Sequence, residues 1–403
     1  MYRGWSIVGT TMATQAAQAG LLVYGFSQLA QPLEQEFGTT RLEVMIAATC
    51  LSLASSALAP IAGRLIDKGS AKRLMLAGAV ALALGFALVA VAQALWQVWL
   101  AYALLLPLAN VLLGQMTSAA LVTRWFQQRR GRAMGLSAMG TSVGGFIFPL
   151  LIASGAEALG WRGAIMLIGL VTAVLLGVLI AWGITDQPEG GLPPEERAQQ
   201  LQQTGDTAAA MTTAEILLRP AFWIITFGVG IKIATYFGLI NNLGGFAQDI
   251  GVGGVEAAAL VSILSITSMI GKVGFGSLAE KLSARALFIF ALLLTVASFG
   301  VLLAAQTYAM LVLSCLLLGL ATGGMLPLWS LIIGQYFSEA SFGRALGLTN
   351  LAMVPLTASA SPIAGWAHDL TGSYDSVIWG SIAALLVASL LLLLLPRPEG
   401  ARA

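Results

Sequence analysis

Twelve stretches of about twenty or more largely apolar residues divide this chain of 403 residues. A run of that length can cross a bilayer only as a helix, because lipid offers its backbone polar groups no partner. The predicted spans are 5–29, 43–65, 74–94, 97–123, 133–156, 163–184, 221–247, 255–279, 286–305, 308–333, 344–366 and 375–395. Composition agrees: 58% of residues are hydrophobic and 9% charged, against about 25% charged in soluble domains. The fold class is therefore an all-α, multi-pass membrane protein, with the lipid bilayer as its solvent. The 46 glycines suit close helix contacts in lipid. Cys50 and Cys315 sit in apolar runs and read as small core residues. The first run, Trp5 to Ala30, is too long for a cleavable signal peptide.

The one long polar segment, Asp186 to Glu215, carries Pro188, Pro193 and Pro194 and reads as a linker, with a short surface helix in TTAEILLRP. It predicts a six-helix half over 1–185, a linker over 186–216, a second half over 217–396 and a tail over 397–403. With both termini in the cytoplasm, sixteen of the twenty lysines and arginines face the cytoplasm. Arg41 and Arg162 fall outside, and Lys232 and Lys272 fall within spans. That bias predicts the orientation in a cell inner membrane and an even number of crossings.

The halves repeat. Gly63-Arg-Leu-Ile-Asp67-Lys68 aligns with Gly276-Ser-Leu-Ala-Glu280-Lys281 at an offset of 213, and Pro149 aligns with Pro362 at the same offset. Gly131-Arg132-Ala-Met-Gly135-Leu136 aligns with Gly343-Arg344-Ala-Leu-Gly347-Leu348 at 212. Parallel six-span repeats describe a transporter with its site between the halves near the midplane.

Lys272 stands eight residues before Glu280, so ~12 Å into the eighth span. A charge at that depth costs roughly 3 kcal/mol or more and marks a site by default. Lys232 lies ~16 Å into the seventh span. The carboxylates all fall in loops or at span ends. Two buried cations without a protein carboxylate point to a solute that brings the negative charge, although a neutral lysine, or Lys232 solvated at a cavity mouth, would also answer. The repeat places Ala59 opposite Lys272, so the scaffold does not itself require the lysine. Candidate solute contacts are Lys272, Lys232, Tyr236, Ser268, Asn110, Gln115 and Trp329, with Gln15, Gln18, Tyr24, Asn241, Asn242, Ser265 and Asn350 as further polar groups within spans. Such groups also bond helix to helix. His368, the single histidine, reads as an anchor or cap at the outer end of the eleventh span.

Enzyme chemistry finds no support: there is no phosphate-binding loop, metal-spaced His/Cys set or triad. No cofactor, metal or nucleic-acid partner is expected, and the chain is expected to act as a monomer.

GRLIDKGSAKR, beginning at Gly63, resembles the loop signature of the major facilitator superfamily. The resemblance covers essentially the whole chain. It implies that Asp67, Lys68, Arg73 and Arg132, with their counterparts Glu280, Lys281, Arg285 and Arg344, latch helix ends at the cytoplasmic gate. Within that superfamily, RGWSIV, the fifth-span stretch RWFQQRRGRAMGLSAMGTSVGGFIFP and the position of Lys272 look like the monocarboxylate porter and oxalate:formate antiporter group. That group typically places an arginine for the substrate carboxylate where this chain has Lys272; Ser268 stands where proton-coupled members often have an aspartate. The resulting expectation is a secondary transporter of small organic anions working by exchange or proton-linked symport. The alternatives are a transporter of a larger amphiphilic solute, with Lys272 structural, and a membrane sensor on a transporter scaffold.

Overall fold

Helix boundaries in this chain are set by glycine and by small capping residues. A computed structural model describes residues 3–126, 130–186, 211–279, 281–337 and 339–395. Glu280 lies outside the described residues, as do the side chains of Asp67, Lys68 and Arg132. Gly38 (φ 60°), Gly160 (φ 72°), Gly251 (φ 80°) and Gly372 (φ 70°) take left-handed backbone angles that no non-glycine residue takes among the described residues. A side chain would strain each of these turns. They pair at the repeat offset: Gly38 with Gly251 at 213, and Gly160 with Gly372 at 212. The duplication read in the sequence is thus also a duplication of turn geometry.

Twelve crossings result: α1 (3–37), α2 (Arg41–Lys68), α3 (Ala71–Val91), α4 (95–125), α5 and α6 (the two arms of Arg130–Gly183, divided at Gly160), α7 (Pro220–Asp249), α8 (Gly254–Leu278), α9 (Ala284–Leu303), α10 (308–336), α11 (Glu339–Thr371) and α12 (Asp375–Leu393). Among the described residues nine stretches are long and apolar enough to cross a membrane by length and composition, one of them holding both α5 and α6. The other two crossings are the more polar ones. A π turn at Ala19–Tyr24 divides α1, and α11 carries Asn350, Thr357, Ser359 and Ser361. Helix α1 continues to Phe37 rather than ending near 29, because Phe26, Leu29 and Leu33 keep a buried face beyond the apolar run. Thr40 and Glu43 close a capping box that starts α2. Thr212 and Glu215 close another ahead of the short helix Thr213–Leu218, the surface helix expected at the end of the linker.

Each half has its own apolar core. One draws only on residues 7–184; the other draws on 216–395 plus Ala19 and Tyr24 of α1. Large side chains such as Val80, Leu84, Val174, Leu175 and Leu390 are more than half exposed. That pattern fits a surface wetted by lipid, where exposed apolar area is not a liability.

Close helix pairs use glycines four residues apart. On α5, a Cβ at Gly144 would overlap the Ala16 carbonyl of α1, and one at Gly140 would overlap that of Met12. On α10, Gly319 and Gly323 lie against α8 in the same way, at Leu264 and Thr267 and at Ser268 and Lys272. In lipid, helices associate through such close contact. The second pair presses directly on the backbone that carries Lys272.

Candidate functional site

Three helices lose regular geometry in mid-membrane. The α1 π turn ends at Tyr24; α4 carries a π turn at Ala101–Leu105 and breaks again at Gly114 (ψ −167°); α10 is divided at Gly324. Such interruptions free backbone groups and recur at functional sites. Polar side chains collect around them. Gln18 donates to Asn110 Oδ1 (2.5 Å), and Asn110 donates to Ser55 Oγ (2.8 Å), so α1, α4 and α2 are joined. In the second half Asn241 donates to Ser361 Oγ (2.8 Å).

Between these two networks lies a cavity of about 120 Å³, lined by Leu22, Val23, Ala48, Leu51, Ser52 and Asn110 from the first half and by Phe237, Asn241, Thr357, Ala358 and Ser361 from the second. Tyr236 donates to Tyr24 (3.1 Å) across the halves beside it, and Thr49 donates to the Ala358 carbonyl (2.9 Å).

Lys272 also bridges the halves. From α8 its ammonium donates to Thr141 Oγ1 (2.9 Å), Ser142 Oγ (2.9 Å) and the Ala138 carbonyl (3.4 Å), all on α5. Three donors meet three acceptors, so its hydrogen bonding is complete while its charge meets no carboxylate among the described ion pairs. Ser268 is buried one turn away on the same helix.

The second lysine goes elsewhere. Lys232 is 1% exposed and donates to Thr295 Oγ1 (2.5 Å) of α9, inside the second half. It therefore does not converge with Lys272 in this arrangement, although the two depths are similar. Trp329 is buried on α10, and its indole N–H has no hydrogen-bond partner among the described residues. Gln115 is exposed just past the Gly114 break, and Asn350 is exposed on α11. Of the predicted residues Asn110 lines the cavity, while Tyr236 and Lys272 reach across between the halves outside its lining.

Among the described side chains of the expected gate, Arg285 and Arg344 bond on the second half's side of the interface. Arg285 donates to the Leu395 (2.8 Å) and Leu393 carbonyls at the end of α12, and Arg344 donates to the Met211 carbonyl. For Arg73 and Lys281 the bonds are backbone ones, from Arg73 N–H to Ser70 Oγ (3.1 Å) and from Lys281 N–H to the Leu278 carbonyl (3.0 Å). The reading of sequence missed Thr141 and Ser142, whose only signal is a polar pair inside an apolar span. It also missed Arg41, which appeared only as a basic residue on the sparsely charged side. His368 does anchor, with Nε2 3.0 Å from Asp249 Oδ2.

Two six-helix halves, joined at one face by a linker and meeting over a small cavity with apolar walls and a few polar groups, define a membrane transporter rather than an enzyme. The family model described as Major Facilitator Superfamily matches residues 12–273 and 222–403, and the chain belongs to that superfamily. It is similar to monocarboxylate transporter 13 of Rattus norvegicus, 28% identical over 344 residues, covering 84% of this chain and 76% of that protein. It is also similar to the membrane sensor protein UhpC of Escherichia coli (strain K12), 26% identical over 379 residues, covering 88% of this chain and 83% of that protein. Among solved structures, a bacterial homologue of the human lysosomal transporter Spinster, in an inward-facing and occupied conformation, superposes with a TM-score of 0.74 at 14% identity, covering 98% of this chain and 97% of that one. That likeness is one of fold.

Proposed function

We propose that this chain carries small organic anions, mono- or dicarboxylates, by alternating access of its two halves, as an exchanger or in proton-linked symport. The observation that carries the reading is the cross-half position of the Lys272 ammonium, held by neutral acceptors alone. A carboxylate would give Lys272 an ion-paired hydrogen bond, both partners charged, stronger than its bonds to the neutral Thr141 and Ser142 hydroxyls. Taking it would release α8 from α5, which ties solute binding to the contact between the halves. The relatives named as monocarboxylate transporters support the solute class. By the charge bias, the linker and both termini lie on the cytoplasmic side of a cell inner membrane.

Proteoliposomes containing the purified protein test this with a panel of labelled carboxylates. Vesicles preloaded with an unlabelled carboxylate are expected to take up label faster than empty ones. Failure of every carboxylate to enter under either loading or a proton gradient would defeat the reading. The relative named as a membrane sensor favours one alternative, in which the chain binds a solute without moving it. Binding by calorimetry without uptake would establish that instead.

Lys232 has a separate expectation. Its contact with Thr295 places it away from the cavity, so Lys232→Met should leave carboxylate affinity within about twofold and leave stability equal or raised, since replacing a buried charge by an apolar group of similar volume is often neutral or favourable. A large loss of affinity in calorimetry would return Lys232 to the solute site.

A further inference from the structure

On the far face, opposite the linker, an arginine crosses between the halves. Arg41 is the first residue of α2 and is 8% exposed. Its guanidinium crosses to the second half, donating to Tyr374 Oη (2.8 Å) and Asp249 Oδ2 (3.4 Å), and it also pairs with Glu34 of its own half (3.2 Å). The N–H groups of Arg41 and Leu42 donate to the Asp369 carboxylate (3.3 and 3.0 Å), an anion seated on a helix N-terminus. Two glycines of the second half make room: a Cβ at Gly245 would lie 2.7 Å from Arg41 Nη1, and one at Gly365 would lie 3.1 Å from Leu42 N.

The repeat shows what is unusual here. The offset of 213 equates Glu36 with Asp249, and the offset of 212 that pairs Gly160 with Gly372 equates Arg162 with Tyr374. In the first half, Glu36 pairs with Arg162 (3.2 Å), an ion pair inside that half. In the second half the position equivalent to Arg162 holds the tyrosine that accepts from Arg41, Asp249 has the His368 ring of its own half at 3.0 Å, and its guanidinium partner is Arg41 across the interface. Asp249 therefore loses its arginine partner whenever the halves part on this side.

We propose that Arg41 is the positioning residue that latches the far face closed during the transport cycle, taking in trans the role that Arg162 plays within the first half. The proposal rests on alternating access but not on the identity of the solute. Opening the far face must break the bonds to Tyr374, Asp249 and Asp369 together, which makes the contact bistable rather than graded. Arg41 is the buried member and Asp249 is 36% exposed, so the latch rests on the guanidinium, whose removal breaks the bonds to Tyr374, Asp249 and Glu34 together.

The test places spin labels on Gln35→Cys and Ser376→Cys, exposed positions in opposite halves at the far face, with Cys50 and Cys315 replaced by alanine. Distances are measured in lipid nanodiscs with and without solute. In the Arg41→Gln variant the closed-to-open ratio should fall about tenfold or more, with Arg41→Lys between it and the parent. If Arg41→Gln does not fold, Asp369→Asn serves: it weakens the acceptor that the Arg41 and Leu42 N–H groups bond across the interface and should shift the parent toward the open distance. A parent that samples both distances, with a folded Arg41→Gln or Asp369→Asn variant that matches it, overturns the latch alone. A distance that never lengthens while solute crosses vesicles overturns the latch and the rocking on which it rests.

Discussion

Replacing Lys272 by glutamine is expected to lower affinity for the transported carboxylate about 10- to 100-fold, the loss of a hydrogen bond to a charged group worth roughly 1.5–3 kcal/mol at about 1.4 kcal/mol per tenfold. Glutamine is the informative replacement. Its amide can still donate to Thr141 and Ser142, so the α5–α8 contact has a substitute and the lost quantity is charge. Lys272→Arg should keep substantial activity and serves beside glutamine as a charge control, with selectivity shifted because a planar fork presents two donors where an ammonium presents a point charge. Isothermal titration of both variants with the best substrate decides the matter. Unchanged affinity in Lys272→Gln would make the lysine a structural tie between the halves and would remove the central support for an anion site.

A large loss of stability is expected from Gly323→Ala. An added Cβ would overlap the Ser268 carbonyl and lie 2.5 Å from the Lys272 backbone nitrogen, and both of these are backbone atoms of a packed helix that cannot swing aside. Helix α10 must then move away from α8. Overpacking of this kind typically costs about 1–3 kcal/mol, occasionally more. Because the displaced segment carries Ser268 and Lys272, solute affinity should fall together with thermal stability. Gly276→Ala, on the same helix at a position where a Cβ meets nothing within 4 Å, is the control and should alter neither. Thermal unfolding in detergent, followed by titration at a temperature where both variants are folded, separates the two effects. A Gly323→Ala variant with parental stability and affinity would show that α8 and α10 are not tightly fixed at the lysine.

The two predictions draw on different kinds of information. Lys272 was visible in the sequence because a charge inside a long apolar run is costly wherever the run lies. Gly323 was one glycine among many until α10 lay against α8. The same division holds across the chain. The twelve crossings were legible because each needs only its own length and hydropathy, and only the more polar α1 and α11 departed from their predicted ends by several residues. The duplication was legible from Gly63 and Gly276, and it reappears in the paired turns at Gly38 and Gly251.

What the sequence by itself determined, then, was a helical membrane protein of two equivalent halves with two unpaired cations in the second. These are properties of single segments: helix in lipid satisfies its own backbone, and burial of a charge is costly regardless of neighbours. Partnership was decided by tertiary structure alone. Lys232 and Lys272 look alike along the chain, yet helix rotation points one to Thr295 within its half and the other to Thr141 and Ser142 across the interface. Arg41 and Asp249 are separated by some two hundred residues, and neither is unusual at a helix end. Their pairing follows from how the halves meet, because a side chain's direction depends on the packing of both surfaces and no local pattern in either one encodes it.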